Sequence, residues 1–273
     1  LTLADVLKGA TDYLAAKGVD SPRVDAELIL ARALGLQRIE LYTQHDRPLN
    51  EAERAHAREL VQRRGRREPL AYVLGDWDFR RLTLKTDARA LVPRPETEIV
   101  LERCLALLDG VNAPRVVDVG TGSGAIGLAL KHERSDAQVL ATDASAEALA
   151  LARENADANG LDVELVHGDL LAGLAGPFAL VVSNPPYVEA TEIPALQPEV
   201  RDWEPRAALI DEGQTGRLIA DARAVLDGAI VLEVHEAHAG KVLSELTAAG
   251  YTDGRITQDL AGRDRVVEAR WRT

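Results

Sequence analysis

An α/β domain built on a mostly parallel sheet, preceded by a small helical bundle, is the fold class that these 273 residues predict. Three observations carry the expectation. From about residue 113 onward, short apolar runs alternate with helix-compatible stretches, as in βαβ units whose helices cover both faces of a parallel sheet. A glycine-rich turn, Gly120-Thr121-Gly122-Ser123-Gly124, joins the first such run to the first such stretch. Residues 1–70, by contrast, carry only helical periodicity.

Within the N-terminal part, Leu3, Val6, Leu7, Ala10 and Leu14 recur at helical spacing, and the pattern stops near Gly18. Ser21-Pro22 puts a capping residue before a proline, opening a helix over 24–34 that Gly35 ends. Asn50 with Glu53 reads as a capping box for a third helix, from Glu51 to about Arg64. The basic run Arg63-Arg64-Gly65-Arg66-Arg67 then reads as a solvated helix end beside a linker. Alternation over 72–84 predicts a hairpin joining two domains. Residues 91–98, LVPRPETE, form a proline-bracketed loop entering a helix, where the helix dipole favours Glu96 and Glu98.

The remaining elements follow in order. Strands are expected at 115–119, 138–142, 163–166, 178–182 and 229–234, with β-rich stretches at 251–258 and 265–269. Helices are expected from 125, over 145–159, over 216–226 and over 240–249. Ligands of such sheets collect beyond the carboxyl ends of the strands, near the point where strand order reverses. The glycine turn, Asp143, Asp169 and Asn184 all fall at such ends.

Bulk properties narrow the function classes. The net charge is −12, and nearly all of the acidic surplus lies after residue 75, in the part that holds the motifs. A duplex-binding domain normally presents a strongly positive face, so the balance counts against DNA. Cys104 is the single cysteine; it sits on an apolar helix face and reads as core. The absence of a disulfide framework suits a reducing, cytoplasmic setting. No apolar run reaches membrane-spanning length, and the opening residues do not read as a signal peptide. His167, His235 and His238 lack metal-site spacing and are assigned to loops; no metal is expected. Glu233 and Glu236 flank the end of the fifth strand and receive no role.

Two motifs carry chemistry. In the glycine turn the backbone can bend tightly and a ligand can approach where a Cβ would collide. Asp143, at the end of the next strand, is placed to accept hydrogen bonds from ribose hydroxyls. The spacing Gly122-x-Gly124-x-x-Gly127 also fits a dinucleotide fingerprint, so nicotinamide or flavin chemistry stays open at this point. Asp118 favours S-adenosylmethionine, because a carboxylate two residues before the turn suits an ammonium-bearing ligand better than a pyrophosphate.

The second motif, Asn184-Pro185-Pro186-Tyr187, follows the apolar run 178–183. Two prolines hold the backbone extended and remove two amide donors. The Pro185 carbonyl and the Asn184 side-chain carbonyl become two acceptors beside the flat Tyr187 ring. That set suits a planar NH2 group, which offers two donors and a face. It has no obvious use in hydride transfer.

With these residues in place, the chain resembles the bacterial release-factor glutamine methyltransferases (the PrmC/HemK group) along nearly its whole length. The blocks that carry the likeness are SPRVDAELIL at 21–30, PLAYVLG at 69–75, LVPRPETE at 91–98, DVGTGSGAIG at 118–127, SNPPY at 183–187 and QDLAGRDR at 258–265. The glycine and Asn-Pro-Pro-Tyr blocks occur across many amino-methylating enzymes; the 91–98 and 258–265 blocks are narrower. The resemblance implies a class I S-adenosylmethionine-dependent methyltransferase fold, with a seven-stranded, mostly parallel sheet. It implies an N-terminal helical substrate-recognition domain over 1–70, a β-hairpin linker over 71–90 and a catalytic domain over 91–273. The implied reaction moves a methyl group to the side-chain nitrogen of the glutamine in the Gly-Gly-Gln loop of class 1 peptide release factors.

By the same carry-over, Asn184, Pro185, Pro186 and Tyr187 hold the glutamine amide. Gly120, Thr121, Gly122, Ser123, Gly124, Asp143, Asp169, Leu170 and Asn184 hold the donor. Leu170 departs from relatives that place an aromatic residue there, which implies weaker stacking on adenine. Three alternatives remain: an adenine-N6 or guanine-N2 nucleic-acid methyltransferase, a nicotinamide-dependent oxidoreductase and a binding module without catalysis.

Overall fold

The computed structural model describes residues 1–272, which form two compact units. One comprises Leu1–Asp76 together with Leu196–Trp203; the other comprises Trp77–Ala195 and the chain from Glu204 onward.

The first unit is helical: α1 (Leu3–Ala16), α2 (Pro22–Leu34), α3 (Glu40–Thr43), α4 (Glu51–Gly65) and α5 (Leu70–Leu74). Capping boxes at Thr2 with Asp5 and at Asn50 with Glu53 start α1 and α4. Ser21 makes no side-chain cap bond, and Pro22 alone sets the start of α2. Leu3, Leu7 and Leu14 of α1 pack with Ile29 and Leu30 of α2 and Leu60 of α4. Where α4 meets α1, a Cβ on Gly65 would lie 2.4 Å from the Tyr13 ring.

Apart from exposed Arg66, the basic run that closes α4 is not a solvated helix end. Arg64 is buried and reaches Asp25 at 2.7 Å and Glu199 at 2.8 Å. Arg67 grips both oxygens of Glu199 at 2.7 Å, and Arg63 is paired with Glu68. The cause is the buried Asp25 carboxyl, which burial pushes up and the Arg64 bond pulls back; such a charge needs its partner inside. These arginines are therefore not a free cationic patch. The hairpin also begins later than expected. Tyr72 lies buried in α5, which Gly75 ends in a left-handed conformation (φ +85°).

The second unit opens with that hairpin, β1 (Asp76–Phe79) and β2 (Leu82–Lys85), and α6 (Thr97–Leu107). Then come β3 (Arg115–Val119), α7 (Ala125–Glu133), β4 (Gln138–Asp143), α8 (Ala146–Asn159), β5 (Glu164–His167) and β6 (Phe178–Ser183). A short helix, α9 (Pro198–Trp203), lies in the segment that belongs to the first unit. The chain closes with α10 (Gln214–Ala222), β7 (Leu226–Glu233), α11 (Ala239–Ala248), β8 (Thr252–Gln258) and β9 (Asp264–Trp271).

Among the described residues the main sheet runs β5-β4-β3-β6-β7-β9-β8. β5, β4, β3, β6 and β7 are parallel, and β9 and β8 are antiparallel additions. Strand alternation divides the core into two layers. Val116, Leu180, Val182 and Val231 meet α6 and α7 residues such as Leu101 and Ile126 on one face. Val117, Val181, Ile230 and Leu232 meet α10 and α11 residues such as Leu218 and Leu246 on the other. Cys104 is fully buried in the first layer, where burial pushes its thiol well above the ordinary range.

The expected helix over 216–226 is displaced. α10 ends at Ala222, and Leu226 opens β7. Asp227-Gly228 looks like a turn in sequence, yet Gly228 lies in the strand because its neighbour β6 passes so close. A Cβ there would fall 2.0 Å from the Ala179 carbonyl oxygen.

Candidate active site

Strand order reverses at β3, whose neighbours are β4 and β6. Val119 pairs with Thr142 on one side and with Ser183 on the other. The glycine turn therefore leaves the sheet between the ends that carry Asp143 and Asn184. A buried bond from Ser183 Oγ to the Val119 carbonyl, 2.7 Å, ties the ends of β3 and β6 together.

The glycine turn is held from below. Gly120, Gly122 and Gly124 have φ values of +70°, +57° and +87°, a region costly for residues with a Cβ. Built Cβ atoms on Gly120 would meet open space, so dihedral freedom is what this position needs. Gly120 and Thr121 both donate N–H to the Thr142 carbonyl at 2.9 Å. Asp118 accepts from Thr121 Oγ1 at 2.6 Å and from the Gly127 N–H at 2.9 Å, both through Oδ2. Half of that carboxylate thus locks the turn instead of waiting for a ligand. Its Oδ1 is buried without a partner, and burial pushes the carboxyl up to about 6. An orphaned acceptor beneath an open glycine turn fits a cationic ligand better than a pyrophosphate, which would meet it as a like charge.

Asp143 joins three loops. Its carboxylate accepts from the Gly122 N–H at 2.9 Å and the Ser145 N–H at 2.8 Å, and its carbonyl accepts from Gly168 N–H at 3.1 Å. A carboxylate has about four lone-pair sites, so two remain for hydroxyl donors. Ser123 is buried, and its carbonyl accepts from the buried Asn155 amide at 2.9 Å. Leu170 has φ +52°, and its carbonyl takes the Thr142 hydroxyl. Asp169 is exposed and paired with Arg217 at 2.8 Å.

Asn184, Pro186 and Tyr187 are half-buried and Pro185 is buried. Among the described residues no protein group hydrogen-bonds the Asn184 amide or the Pro185 carbonyl, so both acceptors are free for a ligand. The Tyr187 ring lies against His235, with centroids 6.2 Å apart. Burial raises the Tyr187 phenol above its ordinary range, with the Glu233 charge adding to the rise.

Several residues of this edge went unassigned in the sequence reading. Glu204 is buried and accepts from Arg94 Nη2 at 2.6 and 2.8 Å and from the Val92 N–H. Glu96 pairs with Arg263, whose Nε reaches Asp259 at 2.9 Å. These contacts join the 91–98 block to the 258–265 block, the two narrowest motifs. Their narrowness was the available signal; which charge meets which could not be read along the chain. Arg94→Ala leaves Glu204 buried without its cation. We expect a loss of about 2–3 kcal/mol in unfolding free energy, below the roughly 3–5 kcal/mol of a fully buried pair because Arg94 keeps one face in water. Urea denaturation checks this, and an unchanged midpoint would remove the clamp from the account.

Comparison with known proteins decides the family. A release factor glutamine methyltransferase from Deinococcus radiodurans is 45% identical over 277 residues, covering 99% of this chain and 99% of that protein. The chain belongs to the release factor glutamine methyltransferase family. The Geobacter sulfurreducens member is 42% identical, covering 98% of this chain and 96% of that protein. The family described as PrmC N-terminal domain matches residues 5–75, and the methyltransferase small domain matches residues 97–199. A methyltransferase of Pyrococcus furiosus superposes with a TM-score of 0.54 at 18% identity, over 70% of this chain and 90% of that one. The Thermus thermophilus 16S rRNA N2 G1207 methyltransferase gives 0.53 at 18% identity, over 72% and 50%. These structural likenesses concern the fold alone: a class I methyltransferase-like fold with a mixed sheet, which this glutamine methyltransferase relative carries behind its N-terminal helices. Among the described residues, no helix is long and apolar enough to cross a membrane, and no cluster of side chains is placed to hold a metal ion.

Proposed function

We infer that this chain transfers a methyl group from S-adenosylmethionine to the side-chain amide nitrogen of the glutamine in the Gly-Gly-Gln loop of class 1 peptide release factors. The observation that carries the reading is local. The two free acceptors of the Asn184 turn stand beside the glycine turn, at the strand end next to it.

Asn184 Oδ1 and the Pro185 carbonyl each accept one N–H of the substrate amide, and the Tyr187 ring lies along its plane. A glutamate side chain has no N–H to offer and meets two oxygens, so it is rejected. An amide nitrogen is a weak nucleophile because its lone pair is shared with the carbonyl. Fixing both N–H bonds favours pyramidalisation of the nitrogen, which takes its lone pair out of conjugation with the carbonyl. When bound, S-adenosylmethionine supplies an electrophilic methyl group on a sulfonium. The protein's main contribution is alignment, an effect of about 7–11 kcal/mol in well-oriented systems. The acceptors also stabilise positive charge as it grows on nitrogen, and after transfer that nitrogen loses its extra proton to water, giving the neutral methylated amide.

The donor site is made of Gly120, Thr121, Gly122, Ser123 and Gly124, with Asp143 taking the ribose hydroxyls. Asp118 Oδ1 takes the ammonium, and Asp169 and Leu170 border the adenine. Leu170 supports the ring by packing alone, having no π face to stack. The functional division follows the chain: 1–70 recognises the substrate, 71–90 links and 91–273 catalyses, in the cytoplasm and without a metal.

The test is methyl transfer from labelled S-adenosylmethionine to a purified release factor, to the same factor with its glutamine replaced, and to a DNA duplex. Label on the unaltered factor alone is the expected result. Label on the duplex, or on none of the three, overturns the reading.

A further inference from the structure

Near Tyr187 lie polar atoms that the chemistry above does not use. Thr97 Oγ1 in α6, Glu233 Oε2 at the end of β7 and Arg265 Nε in β9 are each buried with no hydrogen-bond partner among the described residues. Such atoms are rare in native interiors, and each asks for a reason. The three belong together. Glu233 lies opposite Val266, next to Arg265, and Thr97 and Arg265 are close enough to bias its carboxyl although no hydrogen bond of ordinary geometry joins them.

The same strand end reaches the pocket. His235, two residues beyond Glu233, puts its ring against Tyr187, and His238 backs His235 at 5.8 Å. The Ala237 N–H donates to His235 Nδ1 at 3.3 Å. Nδ1 is thus taken up as an acceptor within its own turn. The ring is a plate behind Tyr187.

We propose that Glu233 is a positioning residue for methyl transfer: its buried carboxyl holds the end of β7, and through it the His235 and Tyr187 rings, in the arrangement that clamps the substrate amide. This rests on the glutamine reading above. The charged and titratable groups around Glu233 are Arg265 from β9, Arg94 and Glu96 from the loop before α6, and Tyr187 beyond β6. Burial outweighs both arginines and pushes the carboxyl up to about 7. Arg265 spends its other nitrogens on the Val234 carbonyl and on Asp259, each at 3.4 Å. An ionised Glu233 draws the free Nε–H toward itself, loosens those two contacts and shifts the strand end on which Tyr187 rests.

The experiment is the pH profile of release-factor methylation by the wild type, Glu233→Gln and Glu233→Ala, with donor affinity measured alongside. Glu233→Ala is expected to lose about thirtyfold in kcat while donor affinity holds. Glu233→Gln, fixed in the neutral shape, restores turnover and abolishes the alkaline limb along which the wild type falls about tenfold per pH unit. An alkaline limb unchanged in Glu233→Gln, or full activity in Glu233→Ala at every pH, overturns the proposal. A second measurement needs no substrate, and so separates this idea from the glutamine reading. Ultraviolet titration, with Tyr187→Phe as the reference, should show the Tyr187 phenol ionising at lower pH in Glu233→Gln. An unmoved titration overturns the coupling even if release factor is methylated; a wild type that labels no release factor refutes the glutamine reading instead.

Discussion

Asn184→Ala removes methyl transfer and leaves donor binding nearly intact. In the proposed mechanism the substitution deletes one of the two acceptors that fix the substrate amide and lets that nitrogen relax back into conjugation. Removing one preorganised hydrogen-bonding group from a reaction centre costs about 3–4 kcal/mol, or roughly a thousandfold in kcat. The side chain is half-buried and makes no hydrogen bond to the protein among the described residues, so its loss should cost little stability. Single-turnover transfer, with donor affinity measured by calorimetry, separates the two effects. Asn184→Asp keeps an acceptor in place and should retain more activity than the alanine variant. An equal fall in donor affinity and turnover would move Asn184 from the substrate side of the pocket to the donor side.

Asp143→Ala has the opposite profile. Here the donor site is expected to fail first: in the proposed site this carboxylate receives the ribose hydroxyls, and it also holds the Gly122 and Ser145 N–H groups. Hydrogen bonds to a charged acceptor contribute about 1.5–3 kcal/mol each, so two of them put the loss of donor affinity between about a hundredfold and ten-thousandfold. The two freed N–H groups sit where water can reach them, since Asp143 is only half-buried, and stability should fall by about 1–2 kcal/mol. Calorimetric titration with S-adenosylmethionine decides it. A dissociation constant within threefold of the wild type would leave Asp143 as a structural tie between loops and nothing more.

The two variants together test how the site is divided; the pieces it is built from were legible in the sequence. A strand, a glycine turn and an acid at the end of the next strand follow one another along the chain, as does an asparagine ahead of two prolines and an aromatic ring. Local sequence carries such information because each piece is a few residues long and acts through its own backbone. Boundaries were less legible. Gly228 looks like a turn because nothing nearby in sequence announces that β6 passes within touching distance. Tyr72 looks like strand because the helical turn of α5 is only five residues long.

Charge pairing was the least legible layer. Arg64 and Arg67 read as surface residues, yet both end on Glu199, more than 130 residues away. Glu204 and Arg94 are a buried clamp separated by 110 positions. Asp118 was read as a ligand group, and half of it turned out to hold the glycine turn. A carboxylate shows its type in sequence but not its surroundings, and burial is what makes a partner obligatory.

The sequence by itself determined the fold class, the two chemical motifs and the family, because periodicity, turn residues and short motifs act over distances that the chain spans locally. Only the tertiary structure decided that the 91–98 and 258–265 blocks meet through Glu96 and Arg263, that Glu233 lies buried near Tyr187, and which carboxylates are shared with the scaffold. Those outcomes depend on which distant residues are brought together out of water, and the sheet's crossovers alone set that.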